Sequence, residues 1–319
     1  MNPPRILAVG VLPPFLSERL ERLYRYHRIP DESAWGDLDQ VAPEIRAVVA
    51  TGESRVPRSL MDRLPNLEII SVFGVGYDGT DVVAAAERRI PVTHTPDVLT
   101  DDVADFGMAL MLATARAVPA ADRFVRQGHW LRGPIHFTRR VHGQRLGILG
   151  FGRIGRAVAR RAEGFGMTIA YTDREAIAGA PYRYVPSAAQ LAAESDFLIV
   201  CTVGGQSTRG LVNAEVLSAL GPDGILINVA RGSIVDEPAL VAALREGRIA
   251  GAGLDVFADE PNVPVELRAM ENVVLTPHMA SGTVATRHAM ADLVCANLEA
   301  HFAGQPLPTP IPPVVKAAG

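Results

Sequence analysis

The chain has 319 residues, of which 48% are hydrophobic and 21% charged, with a formal net charge of -4; this length fits two domains of ordinary size better than one, each with its own core. No apolar run reaches the roughly 20 residues needed to span a bilayer, and no basic run supplies the electrostatic footprint of a nucleic-acid binder, so a soluble protein with neither membrane nor nucleic-acid partner is expected. Cys201 and Cys295 offer neither a disulfide framework nor metal-ligand spacing, and the N-terminus lacks an apolar signal core. A cytoplasmic protein without a metal is the expectation.

From the N-terminus, short β-branched runs alternate with segments of helical period, the pattern of βαβ units around a parallel sheet. Strands are predicted at Arg5 to Val9, Ala47 to Ala50, Leu67 to Val72 and Pro91 to Thr93, with Leu16, Leu20, Leu23 and Tyr24 at helical spacing after the first. A long helix is predicted from Thr100, whose hydroxyl together with Asp101 and Asp102 suits an N-terminus rich in unpaired N–H groups, to about Gln127. The paired arginines Arg139-Arg140 and Arg160-Arg161 read as solvated surface. Six further strands are predicted at Arg145 to Leu149, Thr168 to Thr172, Phe197 to Cys201, Ile225 to Val229, Gly251 to Val256 and Val273 to Leu275. From Thr283 onward, Ala289, Leu293, Ala296, Leu298 and Phe302 predict a helix that crosses back to complete the first domain, and Pro306 to Pro313 an extended surface segment.

The most specific local signal is Gly150-Phe-Gly152-Arg-Ile-Gly155, preceded by the strand RLGIL and followed by a helical run. Gly150 permits a tight turn, Gly152 lets backbone approach a pyrophosphate, and Gly155 lets helix pack on strand, with the helix N-terminus facing the phosphate charge. A ligand-free glycine turn is the competing reading, and the strand–turn–helix context favours the dinucleotide site. Asp173 follows the next strand, 18 residues after Gly155. Its carboxylate would accept the ribose hydroxyls of NAD and repel the 2′-phosphate of NADP. The adjacent Arg174 could instead pair with that phosphate, so NAD leads and NADP stays open.

Three chemical groups follow in order, each beside an apolar strand. Arg231, after ILINVA, offers a planar fork for a carboxylate and a neighbouring carbonyl; His278, in TPHMASGT, offers a proton donor that titrates near neutral pH. Glu260, in DVFADEP, could hydrogen-bond that imidazole, fix its orientation and stabilise its protonated form. An anion anchor, a hydride source and a proton donor are what reducing a 2-oxo acid requires. A surface ion pair for Arg231 and a turn residue for Glu260 are the structural alternatives. His27, His94, His129, His136, His142, His288 and His301 read as structural side chains.

Six ordered segments, FGVGYDGTD (73 to 81), TPDVLTDDVAD (95 to 105), LGILGFGRIG (146 to 155), LINVARGSIVDE (226 to 237), AGLDVFADEP (252 to 261) and NVVLTPHMASGT (272 to 283), resemble the D-isomer-specific 2-hydroxyacid dehydrogenases across nearly the whole chain. The branch they resemble holds the glyoxylate/hydroxypyruvate and hydroxyphenylpyruvate reductases. The resemblance implies an α/β protein of two doubly wound parallel-sheet domains. A Rossmann dinucleotide-binding domain (99–284) would be inserted into a discontinuous flavodoxin-like substrate domain (1–98 and 285–319), with the active cleft between them and a homodimer as the usual assembly. It implies that Arg231, Glu260 and His278 are catalytic and that the backbone N–H groups of Val75 and Gly76 hold the substrate carboxylate beside Arg231. It places the cofactor along Thr100, Gly150, Gly152, Arg153, Ile154, Gly155, Asp173, Arg174, Cys201, Val229 and Asp255, although Thr100 and Asp255 could equally be caps. Trp130 could meet substrate, a partner subunit or neither. One departure is the stretch TVGGQST after FLIVC, where the family commonly carries proline; the cofactor pocket wall there is expected to be looser or differently shaped.

The function implied is reduction of a small 2-oxo acid (hydroxypyruvate or glyoxylate first, aryl-pyruvates next) to the D-2-hydroxy acid with NAD(P)H. The alternative from another class is a dinucleotide-gated protein-interaction scaffold of the same fold. Consumption of NADH or NADPH with a panel of 2-oxo acids separates the two.

Overall fold

Five short strands pair in parallel within the first of the two units into which the chain divides, Met1–Leu99 with Thr283–Gly319. The structure, a computed structural model, describes residues 3–312. The strands are β1 (Arg5–Val9), β2 (Arg25–Ile29), β3 (Ile45–Thr51), β4 (Ile69–Phe73) and β5 (Val92–Thr93), in the order β2-β1-β3-β4-β5. That order is the flavodoxin-like one. Strands β1, β3 and β4 are almost continuously apolar because both faces are covered. Helices α1 (Pro14–Leu23), α2 (Arg58–Arg63) and α3 (Val82–Glu87) and the long terminal helix Val284–Phe302 accompany them. The terminal helix starts at Thr283, whose hydroxyl accepts the N–H of Thr286, and packs against β4.

Three features of this unit differ from the sequence reading. Tyr24 is not helical: it caps α1 in extended conformation, and β2 begins at the next residue. Strand β2, RYHRI, has no apolar run because it is an edge strand with only Ile29 buried; its position is dictated by the register Arg5↔Arg25 to Val9↔Ile29 with β1. The proline-rich tail, of which Pro313 lies outside the described residues, is more than a surface segment. The N–H of His94 donates to Thr309 O (3.1 Å), the N–H of Ile311 donates to Val92 O (2.9 Å), and Pro310 bridges Thr93 antiparallel. The tail thus covers the open edge of the two-residue strand β5, whose backbone groups would otherwise lack partners.

The second unit, Thr100–Gly282, is built on seven parallel strands. They are β6 (Arg145–Leu149), β7 (Thr168–Thr172), β8 (Arg183–Tyr184), β9 (Phe197–Val200), β10 (Ile225–Asn228), β11 (Gly251–Leu254) and β12 (Val273–Leu275), in the order β12-β11-β10-β9-β6-β7-β8. Relative to the six strands expected, the addition is β8, two residues at the sheet edge and too short to leave a periodic signal. The helices are α4 (Thr100–Ala115), α5 (Val118–Arg126), α6 (Arg153–Glu163), α7 (Ala188–Ala193), α8 (Ala214–Leu220), α9 (Glu237–Arg245) and α10 (Val265–Ala269), so the terminal helix is α11 (Val284–Phe302). This is the Rossmann strand order, and the direction of winding reverses between β6 and β9, the switch point at which open α/β sheets bind ligands.

The single long helix expected from Thr100 to Gln127 is broken. Ala117 adopts a left-handed conformation (φ 49°, ψ 37°), Pro119 occupies the first turn of α5, and the two helices meet at a 58° bend. Proline offers no N–H to continue the α4 ladder, while it fits the opening turn of a new helix. No single helix among the described residues is long and apolar enough to cross a membrane. Two arginines expected in solvent are largely covered. Arg139 pairs with Asp196 and Asp223, and Arg161 donates to Asp101 and Asp105, clamping α6 to the first two turns of α4.

Candidate active site

The glycine turn leaves β6 at the switch point. Gly150 has φ 95°, and a Cβ there would lie 2.4 Å from the backbone N and Cα of Thr202. A Cβ on Gly155 would lie 2.2 Å from the carbonyl oxygen of Gly150, so α6 can sit on the turn only because both residues are glycine. Gly152 is the opposite case: it caps α6 with no side-chain hydrogen bond, and a Cβ there would meet nothing within 4 Å. The opening N–H groups of α6, beginning at Arg153 and Ile154, therefore border free space beside the turn, and that cradle fits the pyrophosphate of a dinucleotide.

Asp173 follows β7 and points its carboxylate at this turn: Oδ2 accepts the N–H of Phe151 (2.8 Å) and Oδ1 accepts the N–H of its neighbour Arg174 (2.8 Å). Arg174 itself is exposed. The N–H of Cys201, directly after β9, donates to Leu149 O (2.8 Å), and burial pushes the Cys201 thiol up to about 12, so it stays a neutral thiol at physiological pH. Val229, directly after β10, is buried. In the proline-free stretch after β9, the hydroxyl of Thr208 folds back to Val203 O (2.8 Å) while the Val203 side chain is exposed. Thr100 is the first residue of α4 and half-buried.

Arg231, Glu260 and His278 stand on the loops that follow β10, β11 and β12. The side-chain carbonyl of Asn228 accepts the N–H of Ala230 (3.1 Å) and its amide donates to Arg231 O (2.9 Å), turning the chain as it leaves β10. Next comes Gly232, where a Cβ would fall 1.9 Å from the carbonyl carbon of Phe257; only glycine lets the Arg231 loop press against the loop bearing Glu260. The N–H of Phe257 donates to Glu260 Oε1 (2.9 Å), and Glu260 Oε2 accepts from His278 Nδ1 (2.7 Å). Because a carboxylate accepts, Nδ1 carries the hydrogen and Nε2 is the ring's other face. Burial raises the Glu260 pKa, but the hydrogen bond and charge of His278, the Phe257 N–H and the charge of Arg231 outweigh it and hold the carboxyl below its ordinary range. An anion thus sits beside the imidazole through the neutral range.

His278 occupies the left-handed region at φ 50°, uncommon for a side chain with a Cβ. Its N–H donates to the carbonyls of Asp255 (2.8 Å) and Thr276 (3.1 Å). Asp255 is completely buried, and its carboxylate accepts from the Thr276 hydroxyl (2.6 Å) and from the N–H groups of Met279 (2.9 Å) and Ala280 (2.8 Å). Of the two readings of Asp255 from its motif, these bonds support the cap: it ties down the loop on either side of His278. Sequence patterning gave no sign of that bracket, nor of the Asp173–Phe151 bond or the Gly232–Phe257 contact, since each joins residues far apart in the chain.

Val75 and Gly76 lie in the other unit, in the turn directly after β4. Their N–H groups donate to no residue among those described. Trp130 is exposed, on the short helical turn His129–Arg132 that follows α5.

The sequence matches the model for the NAD binding domain of D-isomer specific 2-hydroxyacid dehydrogenases over residues 108–280. It is 48% identical to hydroxyphenylpyruvate reductase of Plectranthus scutellarioides, covering 95% of this chain and 99% of that protein. It is 44% identical to 2-ketogluconate reductase of Gluconobacter oxydans, covering 97% and 98%. The crystal structure of an NADPH-dependent glyoxylate/hydroxypyruvate reductase from Sinorhizobium meliloti, in complex with NADP and malonate, superposes with a TM-score of 0.91 at 48% identity and covers 97% of each chain. The protein is therefore an oxidoreductase built on a nicotinamide-dinucleotide domain. It belongs to the D-isomer specific 2-hydroxyacid dehydrogenase family.

The bracket around His278 predicts the behaviour of Asp255→Ala. The buried N–H of Ala280, the part-buried N–H of Met279 and the Thr276 hydroxyl would lose their acceptor, at a cost of about 2 kcal/mol or more. Urea denaturation should show that loss, and the reductase rate should fall at least tenfold because His278 is no longer held; an unchanged rate would deny Asp255 this role.

Proposed function

We propose that the protein reduces small 2-oxo acids to D-2-hydroxy acids, with hydroxypyruvate and glyoxylate as leading substrates and aryl-pyruvates next. The observation that carries the proposal is the 2.7 Å Glu260–His278 pair within electrostatic reach of Arg231, on the same carboxyl edge of the sheet as the glycine turn. The names of the relatives support it: all act on 2-oxo acids or their sugar-acid analogues.

The dinucleotide, when bound, supplies the hydride that reaches the substrate C2. Arg231 pairs through its planar fork with the substrate carboxylate and carbonyl oxygen, and the N–H groups of Val75 and Gly76 hold the carboxylate from the backbone. As negative charge develops on the carbonyl oxygen, His278 releases a proton to it from Nε2. Glu260 keeps the ring oriented through Nδ1 and favours its cationic form. We assign Thr100, Gly150, Gly152, Arg153, Ile154, Gly155, Asp173, Arg174, Cys201, Val229 and Asp255 to the cofactor side, Asp255 through the loop it caps.

Two substitutions test this chemistry. His278→Ala should slow reduction by roughly 100-fold or more with dinucleotide binding intact; a retained rate would remove it as the acid. Reduction needs the protonated ring, so activity is full below the His278 pKa and declines above it. In Glu260→Gln the anion is gone, the cation is less favoured, and the declining limb should move toward acid by roughly one pH unit or more. A profile that stays in place would separate Glu260 from the proton step.

For the cofactor we propose NADH ahead of NADPH, supported by the Asp173 carboxylate at the end of β7. Because that carboxylate also holds the Phe151 N–H, Asp173→Ser should weaken binding of both dinucleotides, yet raise the kcat/KM ratio of NADPH to NADH roughly tenfold by removing charge repulsion. A ratio that does not move would place the ribose contact elsewhere.

We further propose a homodimer, its interface the apolar surface at Val118, Val125, Trp130, Leu131 and Phe137. Leu131 and Phe137 are 93% and 103% exposed, and α5 buries none of its residues. Several large apolar side chains left exposed within one stretch of chain, residues 118–137, support an interaction surface there. Light scattering should give a dimer for the parent chain and a monomer for the Leu131→Asp, Phe137→Asp double variant; a monomeric parent would exclude the assembly.

A further inference from the structure

The turn after β4 is pinned by its carbonyls. The N–H of Thr95 donates to Gly74 O (2.9 Å), and His94 Nδ1 lies 2.9 Å from Val75 O. A carbonyl only accepts, so Nδ1 carries the hydrogen in this contact. Both peptides are trans, and in a planar trans peptide the C=O and the N–H point in opposite directions. Holding the Gly74 and Val75 carbonyls against the 94–95 segment therefore turns the N–H groups of Val75 and Gly76 away from it, side by side and with no protein acceptor among the described residues.

His94 is itself fixed from three directions. Its N–H donates to Thr309 O (3.1 Å), its carbonyl accepts from the Thr309 hydroxyl (2.6 Å), and the Tyr77 ring meets its imidazole edge-on at 5.6 Å. Thr309 is in turn held by Asn297, a fully buried side chain of α11, which donates to its hydroxyl (2.8 Å) and accepts its N–H (3.1 Å).

We propose that His94 is a positioning residue for substrate binding: by donating from Nδ1 to the Val75 carbonyl it aims the Gly76 N–H at the carboxylate of the 2-oxo acid and polarises the shared peptide so that this N–H is the stronger donor. The inference rests on the proposed role of Val75 and Gly76 as carboxylate ligands. It gives a function to a histidine that the sequence pattern marks as structural, and it makes the proline-rich tail, through Thr309, part of the support for the substrate loop.

Asparagine is the informative replacement, since its Nδ2 stands the same number of bonds from Cα as histidine Nδ1 and also donates. In steady-state assays with glyoxylate and hydroxypyruvate, His94→Ala should raise KM roughly tenfold while kcat stays within about threefold, and fluorescence titration should show unchanged NADH affinity. His94→Asn should return KM to within about threefold of the parent. Gly76→Pro, which deletes the N–H itself, should raise KM at least as much as His94→Ala. If Gly76→Pro raises KM and His94→Ala does not, or if Asn is as impaired as Ala, His94 has no such role while the loop keeps its own. If Gly76→Pro leaves KM unchanged, the carboxylate reading of the loop fails first.

Discussion

A buried carboxylate without hydrogen-bond donors would cost several kcal/mol, and Asp255 avoids that cost by accepting three bonds from the loop that carries His278. The rest of the site follows from this constraint. With Thr276, Met279 and Ala280 tied to one side chain, His278 is held at a positive φ that an unsupported loop would abandon. Its ring then meets Glu260, whose other oxygen is anchored by the Phe257 N–H on the loop against which Gly232 packs. A cation, a carboxylate and an imidazole from three separate loops are thereby fixed by backbone contacts that glycine and aspartate make possible.

The chemistry gathers at carboxyl strand ends for a reason that applies within each sheet separately. In an all-parallel arrangement every strand ends on the same edge, and every following helix can begin there, so N–H groups without helical partners collect at that edge. In the nucleotide-binding unit the reversal between β6 and β9 opens a gap at that edge, and at the α6 N-terminus a Cβ on Gly152 would meet nothing within 4 Å. In the other unit the same edge holds the turn after β4, where backbone amides rather than a helix end are the exposed donors. Both are sites for anions made from main chain, and each depends on side chains that grip neighbouring backbone: Asp173 at Phe151, and His94 at Val75. The Asp173 contact also means that cofactor choice and turn geometry share one carboxylate.

Periodicity and motif spacing were enough to place most strands of both sheets, the glycine turn, and the order of Arg231, Glu260 and His278, because these depend on local properties: alternating burial, the steric freedom of glycine, and the chemistry of a side chain beside a strand end. What the tertiary structure alone decided is everything that rests on a partner distant in sequence. Strands β2 and β8 exist because a neighbouring edge recruits them, with too few apolar residues to announce themselves. The helix expected to run to Gln127 stops where Ala117 turns left-handed ahead of Pro119, and the prolines of the tail pair with β5 rather than lying on the surface. Asp255, a cap or a cofactor ligand as far as its motif could say, proved to be bonded across 21 to 25 residues of chain, and His94, one histidine among eight, met its carbonyl 19 residues away. A linear pattern records what each residue can donate or accept; only the folded chain determines which acceptor is within reach.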